Sequence, residues 1–202
     1  MEYKEREQVT DLDVTRSKFD SEIANYKAVE SIYSAKGILC NRIAFPDVYF
    51  VFAIPKLTPS PIAFSIKINF ANYDFEPPSV VFVHPFTQAL VKRDQIPLLF
   101  LQIGPNNPFQ PLDLVQGQGE MVPFLCIPGI HEYHNHPAHS GDSWFLHRTK
   151  GEGKLIFILD QLYNHSIKTV KDYQYIVQTT NMKVQQEFTF PAITLPNINL
   201  LK

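Results

Sequence analysis

Between Ile62 and Phe70 every second residue is large and apolar, with Ile62, Phe64, Ile66, Ile68 and Phe70 alternating with Ala63, Ser65, Lys67 and Asn69. Only an extended strand gathers such positions onto one face, so the run predicts a half-buried β-strand and a sheet covering an apolar layer. Apolar runs over 38–45 and 48–54, split by the Pro46-Asp47 turn signal, predict two strands ahead of it. A fourth is expected from Ser79 to Val83, behind Pro77-Pro78, where missing backbone donors do no harm.

Helical spacing brackets this sheet. From Thr15 onward Phe19, Ile23, Tyr26, Val29 and Tyr33 recur at steps of three and four, behind the capping candidates Asp13 and Thr15 and ahead of Gly37. Leu155, Ile158, Leu159 and Leu162 define a second amphipathic helix over Lys154 to His165, opened by Gly151-Glu152-Gly153. Between Phe86 and Gly119 periodicity fades, apart from Leu98 to Ile103, which offers another strand, and the segment as a whole reads as an inserted hairpin or long loop. The tail from Lys183 scatters Phe188, Phe190, Ile193, Leu195, Ile198 and Leu200 among polar residues and two prolines, and reads as an extended arm that packs on its own sheet or joins two copies as a homodimer. The expected class is α+β, with one domain over 1–182, an insertion at about 86–120, and the arm over 183–202. Sixteen prolines in 202 residues argue against long helical bundles.

The charge pattern narrows the partners. A net charge of -2 with interspersed signs offers no basic face for a phosphate backbone, so nucleic acid is not expected. No run approaches the length of a membrane span, and the opening M-E-Y-K-E-R-E-Q is charged where a signal peptide needs apolar residues, so a cytoplasmic protein without membrane contact is expected. Cys40 and Cys126 are then expected as free thiols, unless one is a ligand or a nucleophile.

Chemistry concentrates between Cys126 and Arg148, which hold five of the seven histidines. A metal needs N, S or O donors converging at about 2.0 to 2.3 Å, and zinc is the usual guest of mixed Cys, His and carboxylate sets. Cys126, Glu132, His134, His136 and His139 are the candidate ligands. In an extended segment His134 and His136 share one side, and a turn at Pro137 brings His139 back beside them. The run H-E-Y-H is not the helical His-Glu-x-x-His motif. The same residues support other chemistry: Cys126 as a nucleophile favoured by nearby imidazolium, with histidines as bases toward an incoming amine, for which His131 and His134 are the candidates. A nucleophile held as a zinc ligand is quenched, so the two roles compete for one sulfur. In a structural alternative the histidines hydrogen-bond to backbone and shape the loop, and Cys126 is a small hydrophobe beside Phe124 and Leu125. Trp144 is expected as core or lid, Arg148 as a partner of Asp142 or Glu132, His84 as a strand-end hydrogen-bonder, and Cys40 as core.

The order helix, meander, Cys-bearing loop, Trp and helix resembles the ubiquitin-conjugating (UBC) fold. The resemblance rests on Y-D-F-E-P-P-S-V-V-F-V-H-P from Tyr73 to Pro85, Leu125-Cys126, and Trp144 leading to the helix near Leu155. It implies a UBC-like domain in which Cys126 carries a ubiquitin-like protein as a thioester and His84-Pro85 corresponds to the family's His-Pro-Asn motif. Phe86 stands where that motif has asparagine, and Cys126 lies about forty residues beyond His84, far more than the family uses.

The block C-I-P-G-I-H-E-Y-H-N-H-P-A-H-S-G-D-S-W-F-L-H-R resembles a bacterial family described as a predicted metal-binding domain with a Cys, Glu, His, His (CEHH) signature. Genes of that family sit beside those for ubiquitin-like proteins, activating enzymes, conjugating enzymes and JAB-type peptidases. The match leaves open which of His131, His134, His136 and His139 fill the two His positions. The two resemblances imply a component of a bacterial ubiquitin-like conjugation system, either a conjugating-type transferase or a zinc-dependent accessory. Its partners would be the ubiquitin-like protein, the activating enzyme and other proteins of the same operon. The alternatives are a non-catalytic, zinc-stabilised module that binds the modifier or its conjugates, and a zinc hydrolase with Glu132 as base.

Overall fold

In a computed structural model, residues 6–96, 100–104, 107–117 and 122–170 are described, with backbone alone for 101–112. The element order is α1 (Leu12–Ala35), β1 (Ile38–Ala44), β2 (Asp47–Ala53), β3 (Ile62–Asn69), β4 (Ser79–Phe82), β5 (Leu101–Gly104), β6 (Asn107–Asp113), β7 (Val115–Gln116), β8 (Phe124–Leu125), α2 (His131–His134) and α3 (Leu155–His165). The arm over 183–202 lies outside the described residues, so the homodimer reading does too. No described helix is long and apolar enough to cross a membrane.

Helix α1 starts three residues earlier than its apolar spacing predicts. Asp11, not Asp13 or Thr15, is the cap, and its carboxylate accepts the Val14 amide at 3.0 Å. Leu12 and Val14 are exposed, so the apolar stripe carries no trace of this first turn. Thr15 lies inside the helix, its hydroxyl donating to the Asp11 carbonyl. Phe19, Tyr26 and Tyr33, seven apart, form the buried stripe. Gly37 ends the helix at φ +88°, where a Cβ would stand 2.3 Å from the Ala53 carbonyl oxygen.

Strands β1 to β4 form an antiparallel sheet in sequence order, with Phe50 opposite Ile66 and Phe52 opposite Phe64. One face holds Val48, Phe50, Phe52, Phe64, Ile66, Ile68 and Phe82, all buried. Tyr26 of α1 meets Phe50 edge-on at 5.1 Å and Phe19 meets Phe70 at 5.6 Å. The other face of β3 is a correction. Ala63, Ser65, Lys67 and Asn69 were expected at the surface, yet all four are buried. β3 pairs along both edges, so β2 and β4 flank these short or stretched side chains. The Ser65 hydroxyl, for one, donates to the Phe50 carbonyl at 2.7 Å.

Helix α3 completes the α+β layer. Its Leu155, Ile158, Leu159 and Leu162 are buried, and Lys36, just past the end of α1, pairs with Asp160 at 3.1 Å. Lys154 gives α3 no side-chain cap. Instead the buried Glu22 of α1 accepts the Leu155 amide at 2.9 Å and the Tyr73 hydroxyl at 3.3 Å, joining both helices to the turn before β4.

Between β4 and the histidine-rich segment, β5 and β6 form a hairpin, and β7 and β8 a two-residue ladder. Phe100 returns into the core against Phe64 and Phe82, at 4.9 and 5.4 Å. Asp113 accepts the amides of Phe100 and Val115 and pairs with Arg93, fixing the chain just before the Cys126 segment.

Candidate functional site

Cys126 follows β8 directly, and its amide donates to the Leu114 carbonyl at 2.7 Å, one rung beyond the Val115 to Leu125 pair. Leu125, Ile127 and Ile130 are buried, which leaves Cys126 half-buried at the edge of the core. Cys126 and Cys40 are both free thiols. Burial pushes the Cys126 thiol up from its ordinary range, so at neutral pH it rests protonated.

The next segment turns where an extended run was expected. Gly129, at φ +92°, lies so close to Gly153 that a Cβ would stand 2.4 Å from the Gly153 nitrogen. The His131 amide then donates to the Pro78 carbonyl, and α2 makes a single helical turn. Side chains of an extended segment alternate between two sides, whereas those of a helical turn leave about 100° apart. The four residues of α2 therefore go to four different places.

His131 meets the Asn135 amide nitrogen at 2.7 Å, and its charged neighbours are Arg6 and Glu76. Burial, reinforced by the Arg6 charge, depresses its pKa to about 4, so His131 is neutral and accepts from Asn135. Glu132 turns to the sheet: its carboxylate accepts the Ser79 hydroxyl and, at 3.0 Å, the Val80 amide. The residue is half-buried as a whole, but the carboxylate end is enclosed. Burial raises its pKa against the opposing pull of those two donors. Tyr133 stacks on His139, with ring centroids 3.9 Å apart, and its hydroxyl donates to Asp142 at 2.8 Å. Burial and the Asp142 carboxylate push that phenol up to about 12.

His134 folds back on the loop itself. Its Nε2 accepts the Gly129 amide at 3.1 Å and its Nδ1 donates to the Asp142 carbonyl at 2.8 Å, which fixes the neutral tautomer and uses both ring nitrogens. Burial lowers its pKa, in keeping with that state. His136 lies on Phe124, and its Nδ1 accepts the Ala138 amide at 3.3 Å, closing the turn Pro137–His139. This turn carries His139 back to Cys126, with Sγ and Nε2 3.3 Å apart.

Of the five candidate ligands, the fold thus brings Cys126 and His139 together and commits Glu132 and His134 to other partners. Among the described residues, no three His, Cys, Asp or Glu side chains converge as a metal centre requires. Of the proposed bases, His134 has both ring nitrogens engaged and His131 meets Asn135 through Nε2, and the imidazole beside the sulfur is that of His139.

The rest of the block corrects one expectation. Arg148 pairs with Asp74 at 3.3 Å rather than with Asp142 or Glu132, because it lies over the turn before β4. Asp142 instead joins His147, whose Nδ1 reaches Glu152. Burial works against a charge on His147, but the two carboxylates outweigh it and raise its pKa. In turn, His147 and Tyr133 lower that of Asp142. Trp144 is core, as expected, and its indole donates to the Asp74 carbonyl at 3.0 Å. His84 accepts the Phe86 and Thr87 amides at the end of β4, the strand-end role expected of it. A cavity of about 460 Å³ opens between β3, β4 and this His84 turn, lined by Phe64, Phe82, Leu90 and Ile96 among others; neither Cys126 nor His139 borders it.

Ser79, Tyr133 and Glu152 were not candidates. Ser79 lies 53 positions from Glu132 and carries no signal of its own. Tyr133 stood inside the motif, and Glu152 between two glycines already noted as a helix opening.

Fold and site together define an α+β protein in which a half-buried cysteine stands beside a histidine, on a loop anchored to the sheet by an enclosed glutamate. The chain belongs to the Y4jH-like family: the Y4jH family model matches residues 10–170, from the cap of α1 to just past α3. It is 39% identical to the uncharacterized protein y4jH of Sinorhizobium fredii (strain NBRC 101917 / NGR234) over 186 residues, which cover 85% of this chain and 91% of that protein.

Proposed function

We propose that this chain is a conjugating-type enzyme of a bacterial ubiquitin-like system, with a UBC-like domain and Cys126 as the thioester carrier. The observation that carries the reading is the 3.3 Å separation of Cys126 Sγ and His139 Nε2, with Glu132 and His134 turned to other partners. A half-buried thiol facing an imidazole suits covalent chemistry, and a thiol raised by burial needs a base beside it. The helix, meander and cysteine-loop order adds support through its likeness to conjugating enzymes.

The step is a transthioesterification. The Cys126 proton passes to His139 Nε2, and the thiolate attacks the C-terminal carbonyl of the modifier held as a thioester on the activating enzyme. That enzyme's cysteine leaves as a thiolate and takes up the proton. A substrate amine later attacks the new thioester and releases Cys126. ATP is consumed earlier, by the activating enzyme, so this chain needs no cofactor for the transfer.

Incubation with the ubiquitin-like protein, its activating enzyme and ATP is expected to give a DTT-sensitive adduct that C126A abolishes, C40A preserves and H139A slows. Absence of the adduct under these conditions removes the carrier role, and modifier binding without an adduct assigns a non-catalytic binding module instead. About one zinc per chain, lost in C126S, would return the sulfur to a metal and overturn the reading.

A further inference from the structure

Among the described residues, the His139 ring makes no side-chain hydrogen bond besides its contact with Cys126. Its Nε2 faces the sulfur, and the Pro137–His139 turn that carries it stands outside both the sheet and the long helices. What fixes its ring is the face of Tyr133, nearly parallel at 21° and 3.9 Å away. Tyr133 is held in turn by its hydroxyl on Asp142 Oδ2. The other oxygen of Asp142 faces His147 Nε2, and His147 Nδ1 faces Glu152 at the mouth of α3.

We propose that His147 is a positioning residue for the Cys126 and His139 pair, acting through Asp142 and Tyr133. The inference rests on the Cys126-centred reading above. As an imidazolium, His147 donates from both ring nitrogens and spans Asp142 and Glu152, tying the loop that carries Tyr133 to the start of α3. As a neutral ring it donates from only one, and one carboxylate is released. The groups facing His147 are Asp142, Glu152 and the ring of His134, 5.0 Å away, which is neutral and held by backbone. Arg148, next in the chain, is engaged with Asp74. The two carboxylates therefore govern its charge, and the tie is closed below the raised pKa of His147 and loosened above it.

The test is the rate at which iodoacetamide alkylates Cys126 in a C40A background. In this reaction the thiol proton goes to His139, the sulfur bonds to carbon, and iodide leaves. At pH 7, H147Q is expected to slow alkylation about fivefold, a small part of the roughly 10²- to 10⁴-fold that a well-placed general base supplies. Y133F keeps the stacked ring but cuts the link to Asp142, so it should slow alkylation similarly, and adding H147Q to it should cost nothing further. The gap between H147Q and the unsubstituted chain should close as pH rises through the titration of His147, which a merely structural defect would not do. Should H147Q fail to fold, D142N breaks the same link at a partly exposed carboxylate. An unchanged rate in H147Q, or equal slowing with and without Y133F, overturns the proposal. Alkylation requires neither modifier nor activating enzyme, so coupling that persists without any thioester adduct would defeat the conjugating reading and leave the positioning role standing.

Discussion

The carboxylate of Glu132 accepts the Val80 amide at 3.0 Å, so a side chain of the histidine-rich loop completes the hydrogen bonding at the start of β4. The Ser79 hydroxyl binds the same carboxylate, and Ser79 is itself buried. This contact anchors α2 to the sheet and fixes where the segment following Cys126 can run.

E132A strands two buried donors and is expected to cost about 2 kcal/mol, a loss of roughly 6 °C in melting temperature. E132Q retains an acceptor for Val80 and has a donor for Ser79. Because burial raises the Glu132 pKa, the folded chain binds more protons than the unfolded chain above the ordinary carboxylate range, and stability falls as pH rises through the raised value. E132Q is free of that loss. Melting curves from pH 5 to 8 should show it gaining on the unsubstituted chain as pH increases; a constant difference would contradict the raised pKa.

His131 produces the opposite slope. Its folded pKa of about 4 lies below the ordinary 6.5, so between these values the unfolded chain binds the extra proton. The stability it contributes is present above pH 6.5 and is lost as pH falls toward 4. H131Q, which keeps an acceptor for Asn135, should flatten the melting-temperature profile across that window. A profile as steep as before would assign the acid sensitivity to other groups.

Glu22 joins α1 to α3 and to the turn before β4. E22A leaves the Leu155 amide and the Tyr73 hydroxyl, both deep in the fold, without their partner. The expected cost is again about 2 kcal/mol. Y73F removes only one of these bonds and should cost about half as much, measured by urea unfolding with an unchanged slope.

Much of this architecture was legible because it is written in periods. Phe19 to Tyr33 keep helical spacing, Ile62 to Phe70 alternate, and Leu155 to Leu162 mark one face, so α1, β3 and α3 fell close to their expected bounds. What escaped is what periodicity does not encode. The first turn of α1 is exposed, the second buried face of β3 follows from its central place in the sheet, and α2 is too short to show a period. The cluster between Cys126 and Arg148 was visible as a cluster, but its internal wiring depends on directions that a single turn at α2 decides. An extended segment would have set His134 beside His136, whereas the turn gave His134 to backbone and left His139 for the cysteine. Ser79 was unreadable for a different reason: only the folded sheet brings it to Glu132.

Gly153 supplies the sharpest test of how the loop is closed. At φ +80° its ideal Cβ would stand 2.6 Å from the indole Cη2 of Trp144 and 2.9 Å from the Gly129 carbonyl oxygen. A side chain there is strained twice, by a left-handed backbone and by contact with a ring that is itself core and hydrogen-bonded to Asp74. G153A should therefore cost about 3 kcal/mol, roughly 9 °C in melting temperature. Gly141 is the control in the same segment: its Cβ would meet nothing within 4 Å, so G141A should leave stability within about 0.5 kcal/mol. If G153A also speeds alkylation of Cys126, the Gly129 and Gly153 contact shields the sulfur as well as closing the loop. A G153A chain as stable as G141A would show that the loop does not close at this point.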